Sequence, residues 1–267
     1  MPFLDLDGVR LHVDDTGAGP PVLLIAGTGA RGRTWHLHQV PALVAAGYRV
    51  VTYDNRGIPP STVTPAMTID DLVRDAAGVI ESLGLGPCRV AGHSMGAQIA
   101  QELCLARPDL VGRVALLGAR GRDDAFCTAL LHADRELFDR GTMLPPGYAA
   151  VVRASQNLSP HTLADDRAVR DWLDIFQLPG PPDDGKGTRA QLDVDLMGDR
   201  LEAYRGIRTP ALVLSFTDDI VAPPARGREI AGVIPGARYA EIPRAGHYGY
   251  FEQPEAVNAA LLEFFGA

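Results

Sequence analysis

Residues 88–108 read CRVAGHSMGAQIAQELCLARP, and the fold turns on how they are parsed. The opening CRVAG (88–92) is a short apolar run of the kind that forms a strand buried on both faces. From Met95 the pattern becomes that of a helix, which Pro108 ends. Between them stands Gly92-His93-Ser94-Met95-Gly96, a G-x-S-x-G pentapeptide. Holding a serine on so sharp a strand-to-helix turn strains its backbone and brings neighbouring chain close, so glycines two residues to either side avoid Cβ clashes. The Ser94 hydroxyl then stands at the C-terminal edge of a sheet, over a helix N-terminus that favours developing negative charge. In a chain with 29 glycines the pentapeptide alone is a modest signal, and its place between strand and helix gives it weight.

Reading outward, VRLHVD (9–14), PVLLIAG (21–27), YRVVTYD (48–54) and VGRVALLGA (111–119) are further strands. PALVAAG (41–47) has helical spacing, with Pro41 in the first turn and Gly47 as the stop. The stripe Ile69, Leu72, Val73, Ala76, Val79, Ile80 and Leu83 predicts a helix closed by Gly84 and Gly86. Strands alternating with helices imply an α/β fold with a mostly parallel sheet. Residues 122–205 break the alternation: helical stretches occur there, no strongly apolar strand, and breakers at LPPG (144–147) and LPGPPDDGKG (178–187). From Arg208 it resumes with PALVLSF (210–216), REIAGVI (228–234), ARYAEIP (237–243) and PEAVNAALLEFF (254–265) as strand, helix, strand, helix. The expected organisation is a sheet domain of residues 1–121 and 206–267 interrupted by a helical insertion, 122–205.

A rival motif is Gly27-Thr28-Gly29-Ala30-Arg31-Gly32, which matches G-x-G-x-x-G after a strand, with Asp54 ending the next strand where a ribose-binding acid would sit. It keeps open a dinucleotide-binding oxidoreductase. Against it, the required helix would carry Pro41 in its interior, at a cost of roughly 3 kcal/mol. If the helix instead starts near Pro41, residues 27–39 form a long loop that offers backbone N–H groups to an oxyanion.

A serine nucleophile needs a base, and the base an orienting acid. Of the seven histidines, His12 lies in a strand, His36 and His38 fall in the first Gly-rich loop, His93 is inside the pentapeptide, and His132 and His161 belong to the insertion. His247, in Ala245-Gly246-His247-Tyr248-Gly249, falls after the last strand and before the final helix, over the same sheet edge as Ser94. The acid should follow PALVLSF, where Asp218 and Asp219 are adjacent. Neighbouring side chains on an extended turn point apart, so only one of the two faces His247.

On these residues the chain resembles the α/β-hydrolase superfamily along nearly its whole length, and within it the cofactor-free haloperoxidase/perhydrolase-like esterase branch. The segments carrying the resemblance are Ala26-Gly27-Thr28-Gly29, Asp54-Asn55-Arg56-Gly57, Gly92 through Gly96, Asp219 through Pro223, and Ala245-Gly246-His247. The resemblance implies the α/β-hydrolase fold with 122–205 as a helical cap, a Ser94–His247–Asp219 triad, and an oxyanion hole from the backbone N–H groups of Thr28 and Met95. It selects Asp219 over Asp218 because the family's acid stands four residues before a proline, here Pro223. Two departures are visible. The family's usual His-Gly is Ala26-Gly27, which spares the backbone donors, and its D-x-R-G-x-G-x-S loop reads Asp54-Asn-Arg56-Gly-Ile-Pro-Pro60-Ser61, whose Asp and Arg look structural.

The expected activity is hydrolysis of an ester or thioester through an acyl-enzyme, on a small acyl substrate. Transfer to another acceptor, or action as a thioesterase on a carrier-bound acyl group, would use the same triad. The apolar residues Phe126, Leu131, Phe138, Trp172 and Phe176 of the cap are of a kind that more often forms cap core than touches substrate, and which of them line the pocket is left open. No cofactor and no metal is called for. The 267 residues carry 25 basic against 33 acidic side chains, net −8, which argues against nucleic-acid binding. No apolar run is long enough to span a bilayer, and the N-terminal MPFLDLDGVR lacks a signal peptide's basic start. Cys88, Cys104 and Cys127 are too few for a disulfide scaffold. A cytoplasmic protein with no membrane partner is expected, its oligomeric state open.

Overall fold

Strands with near-continuous apolar runs must bury both faces, and the strand Pro21–Ile25 does so residue by residue. Val22 and Leu24 enter one core, Leu23 and Ile25 the other. The computed structural model describes residues 3–178 and 185–266. Its strands are β1 (Phe3–Leu6), β2 (Val9–Thr16), β3 (Pro21–Ile25), β4 (Arg49–Tyr53), β5 (Cys88–His93), β6 (Val111–Leu117), β7 (Ala211–Phe216) and β8 (Arg238–Ile242). They form one 8-stranded sheet in the order β1-β2-β4-β3-β5-β6-β7-β8. From β4 to β8 every neighbouring pair is parallel, and β1 and β2 close one edge antiparallel.

Helices α1 (Gln39–Ala45), α2 (Ile69–Ser82) and α3 (Met95–Ala106) follow β3, β4 and β5. The described chain between β6 and β7 is helical: α4 (Ala125–Asp139), α5 (Pro146–Asn157), α6 (Pro160–Leu163), α7 (Asp166–Gln177), α8 (Lys186–Asp195) and α9 (Leu201–Tyr204). After β7 come α10 (Pro224–Val233), α11 (Gly249–Glu252) and α12 (Pro254–Gly266). Apolar side chains of α2, α3 and α10 join the core on one face of the sheet, and those of α1 and α12 the core on the other. Thr68 and Asp71 close a reciprocal capping box that fixes the start of α2.

Several boundaries differ from the expectation. Strand β1 was not foreseen, since four residues, FLDL, are too few to display an alternation. Helix α10 begins at Pro224, four residues before REIAGVI, because a proline suits the first helical turn. For the same reason LPPG starts a helix rather than breaking one, with Pro146 opening α5. Of the stretch 178–187, residues 179–184 lie outside the described residues. Among the described residues no helix is long and apolar enough to cross a membrane.

Candidate active site

The turn from β5 into α3 places Ser94 at φ 55°, ψ −120°, a left-handed backbone rarely adopted by a side-chain-bearing residue. The flanking glycines are sterically required. A Cβ on Gly92 would lie 2.1 Å from the Gly96 carbonyl oxygen, and one on Gly96 would lie 2.2 Å from that of Ile25. Although Ser94 caps α3, its hydroxyl makes no capping bond and faces a cavity of about 600 Å³.

His247 lines the same cavity, on the loop between β8 and α11. Its Nδ1 donates to Asp219 Oδ2 at 2.7 Å. Asp219 Oδ1 accepts from the backbone N–H groups of Val221 and Ala222, both at 2.8 Å. Burial alone would raise the Asp219 carboxyl. The imidazole beside it and these hydrogen bonds outweigh burial and hold the carboxyl below its ordinary value. With Nδ1 carrying the proton, His247 Nε2 presents a lone pair. No hydrogen bond joins His247 to the Ser94 hydroxyl at rest; such bonds are commonly long before substrate binds. Asp218 turns the other way, accepting from Ser159 Oγ of the insertion at 2.6 Å. The adjacent carboxylates are thus separated, one on the histidine and one on the insertion.

His93, beside the serine, is fully buried and its ring lies 4.6 Å from that of His247. Its Nε2 donates to the His247 carbonyl oxygen at 2.8 Å. Burial, reinforced by repulsion from His247, pushes its imidazole down to about 3, so it stays neutral and holds the histidine loop. Sequence reasoning left His93 without a role, because its partner lies 154 positions away.

The Thr28 and Met95 backbone N–H groups donate to no acceptor among the described residues. Met95 is the first residue of α3, where an N–H has no partner within the helix. Thr28 and its neighbours are tied to α8 instead. Thr28 Oγ1 donates to Asp195 Oδ2 at 2.6 Å, and Gly29 N–H donates to Gln191 Oε1 at 2.9 Å. Neither α8 side chain was singled out in the sequence, which carries no local mark of contacts spanning 167 and 162 positions. Asp54 and Arg56, expected to be structural, are taken up by partners in the protein: Asp54 accepts from Gly32 N–H and His12 Nδ1, and Arg56 pairs with Asp75.

The cavity wall resolves a choice the sequence left open, between cap core and pocket lining. Leu131, Phe138, Trp172 and Phe176 line the space next to Ser94 and are not merely packing within the insertion, while Phe126 is 55% exposed. Trp172 packs on Phe176, Tyr248 and Phe251, forming an aromatic wall. Among the described residues no three His, Cys, Asp or Glu side chains gather as a metal ion would need.

The sequence profile of the alpha/beta hydrolase family matches residues 22–260. The chain belongs to the alpha/beta hydrolase family. As an alpha/beta hydrolase it is 49% identical over 259 residues to a Mycobacterium tuberculosis protein named non-heme bromoperoxidase BpoC, covering 97% of this chain and 98% of that one. The crystal structure of that relative superposes with a TM-score of 0.92 over 96% of this chain and 95% of the other. A protein named carbamate hydrolase RutD from Azorhizobium caulinodans is 30% identical over 273 residues, covering 100% of this chain and 98% of that one. The enol-lactonase of Burkholderia xenovorans LB400 matches at 27% identity and TM-score 0.85 across 100% of both chains. This alpha/beta hydrolase is an enzyme of the hydrolase type. The dinucleotide reading of residues 27–32 falls on geometry as well as kinship. No helix follows the glycines at once: the segment Gly32–His36 is a short 3-10 turn, α1 starts only at Gln39, and the Asp54 carboxylate is already occupied.

Proposed function

We propose that the protein hydrolyses an ester or thioester through an acyl-enzyme on Ser94. The observation carrying this reading is His247, on the wall of the cavity that Ser94 faces, with Asp219 behind it at 2.7 Å from Nδ1. Ser94 Oγ attacks the acyl carbonyl carbon as His247 Nε2 takes its proton, and Asp219 holds the imidazole in the tautomer that leaves Nε2 free. The unpaired N–H groups of Thr28 and Met95 receive the oxyanion, a contribution of about 2.7–4 kcal/mol per donor in related chemistry. His247 then protonates the leaving alcohol or thiol, and water activated by the same imidazole releases the acid. Residues 122–205 act as the cap, and the aromatic wall of Trp172, Phe176 and Tyr248 suits a medium-sized apolar or aromatic acyl group. The name carried by the 49% identical relative favours a second acceptor beside water. Hydrogen peroxide attacking the same acyl-enzyme would release a peracid, which oxidises bromide.

The test is a panel of acyl esters and thioesters of graded chain length, with covalent labelling by a fluorophosphonate. Ser94→Ala should lose labelling and lower kcat by a factor on the order of 10⁶ while its melting curve stays intact. Undiminished labelling of that variant removes Ser94 as the nucleophile. Adding peroxide to the panel measures peracid directly.

A further inference from the structure

The peptide N–H of Thr28 has to be aimed, yet it sits between two glycines, Gly27 and Gly29, the second at φ +67°. Such a segment is free to rotate its peptide planes. Its own backbone supplies one turn bond, from Ala30 N–H to the Gly27 carbonyl oxygen at 3.2 Å. Asn55 Nδ2 donates to the Ala26 carbonyl oxygen just upstream at 3.0 Å, and Thr28 and Gly29 themselves are held by side chains of α8, where Gln191 and Asp195 stand four residues apart and so share one helix face. Gln191, 0% exposed, accepts from Gly29 N–H and donates to the Arg56 carbonyl oxygen, which locks the Thr28–Gly29 peptide plane. Asp195 fixes the Thr28 side chain through its hydroxyl.

We propose that Asp195 is a positioning residue for the oxyanion hole, holding Thr28 through its hydroxyl so that the Thr28 backbone N–H points at the developing oxyanion. This rests on the acyl-enzyme reading above. A carboxylate beside a site meant for negative charge would by itself oppose the reaction. Arg120, buried to 5% exposure, removes that objection: its Nη2 donates to Asp195 Oδ1 at 2.9 Å and to the Asp195 carbonyl oxygen at 2.5 Å. The ion pair is a neutral strut between the end of β6 and the oxyanion loop. Its lone pair toward Thr28 is what the hole uses.

Thr28→Val tests this while leaving the Arg120–Asp195 pair whole. It keeps the backbone N–H and nearly the side-chain volume, and deletes only the hydroxyl. Expected are a kcat lowered by about 10- to 100-fold with KM nearly unchanged, an equal fall in the rate of fluorophosphonate labelling, and a melting temperature lowered by only the few degrees that one lost hydrogen bond costs. Thr28→Ser, which restores a hydroxyl, should recover most of the loss. Asp195→Asn should lower kcat as well, and in the double variant with Thr28→Val the two losses should not add. Wild-type labelling rates in Thr28→Val, or fully additive losses, overturn the proposal alone. A wild-type protein that the fluorophosphonate does not label overturns the acyl-enzyme reading, and the proposal with it.

Discussion

Ser94 holds a backbone geometry that costs roughly 1–3 kcal/mol in an ordinary turn, and the close packing of Gly92 and Gly96 is what sustains it. The same economy of contacts separates Asp218 from Asp219. Asp219→Asn should lower kcat by about 10⁴-fold, because an amide facing Nδ1 favours the wrong imidazole tautomer. Asp218→Asn touches only the bonds from the Ser159 and Thr217 hydroxyls and should leave turnover near wild type; steady-state kinetics on one ester decides between them. His93 offers a test by pH. Its folded value near 3 lies below that of the unfolded chain, so between about pH 6.5 and 3 the unfolded state binds the extra proton. The stabilisation from keeping His93 neutral is therefore complete above pH 6.5 and is lost as pH falls toward 3. Urea unfolding at a series of pH values should show a slope that His93→Phe makes shallower, by up to about 1.4 kcal/mol per pH unit.

At the scale of elements, β5, its turn and α3 act as one piece, and the turn tolerates no added atom. Gly96→Ala would press a methyl against the Ile25 carbonyl oxygen and should cost about 1–3 kcal/mol, or roughly 3–10 °C in melting temperature by calorimetry. These elements were legible because each buries a regular pattern: β3, β5 and β7 are apolar on both faces, and α2 shows its stripe. What stayed hidden is equally physical. Strand β1 is four residues long and α11 also four, too short for any period to register. The task of α8 was invisible for another reason. Gln191 and Asp195 read as ordinary polar residues, and only the folded chain brings them to a loop more than 160 positions earlier.

Across the whole molecule, the meeting of Ser94 and His247 at one cavity was legible because strand ends at one sheet edge carry them. The division of labour within the insertion was not, since an aromatic side chain looks the same in a core and on a cavity wall. Trp172 stands on that wall, so Trp172→Ala should shift the preference across an acyl-ester panel toward bulkier groups, raising kcat/KM for those relative to short ones. The helical chain between β6 and β7 also grips the loops at the sheet edge on both sides of the cavity. Thr28 and Gly29 are held by α8, while Ser159 reaches Asp218 and Glu252, and the Asn157 carbonyl oxygen takes the Tyr248 N–H. Chimeras are constrained accordingly. Transplanting residues 122–205 from a cousin to borrow its taste in substrates would disturb speed along with selectivity, unless the anchor points at 28, 218 and 252 were exchanged in the same cassette.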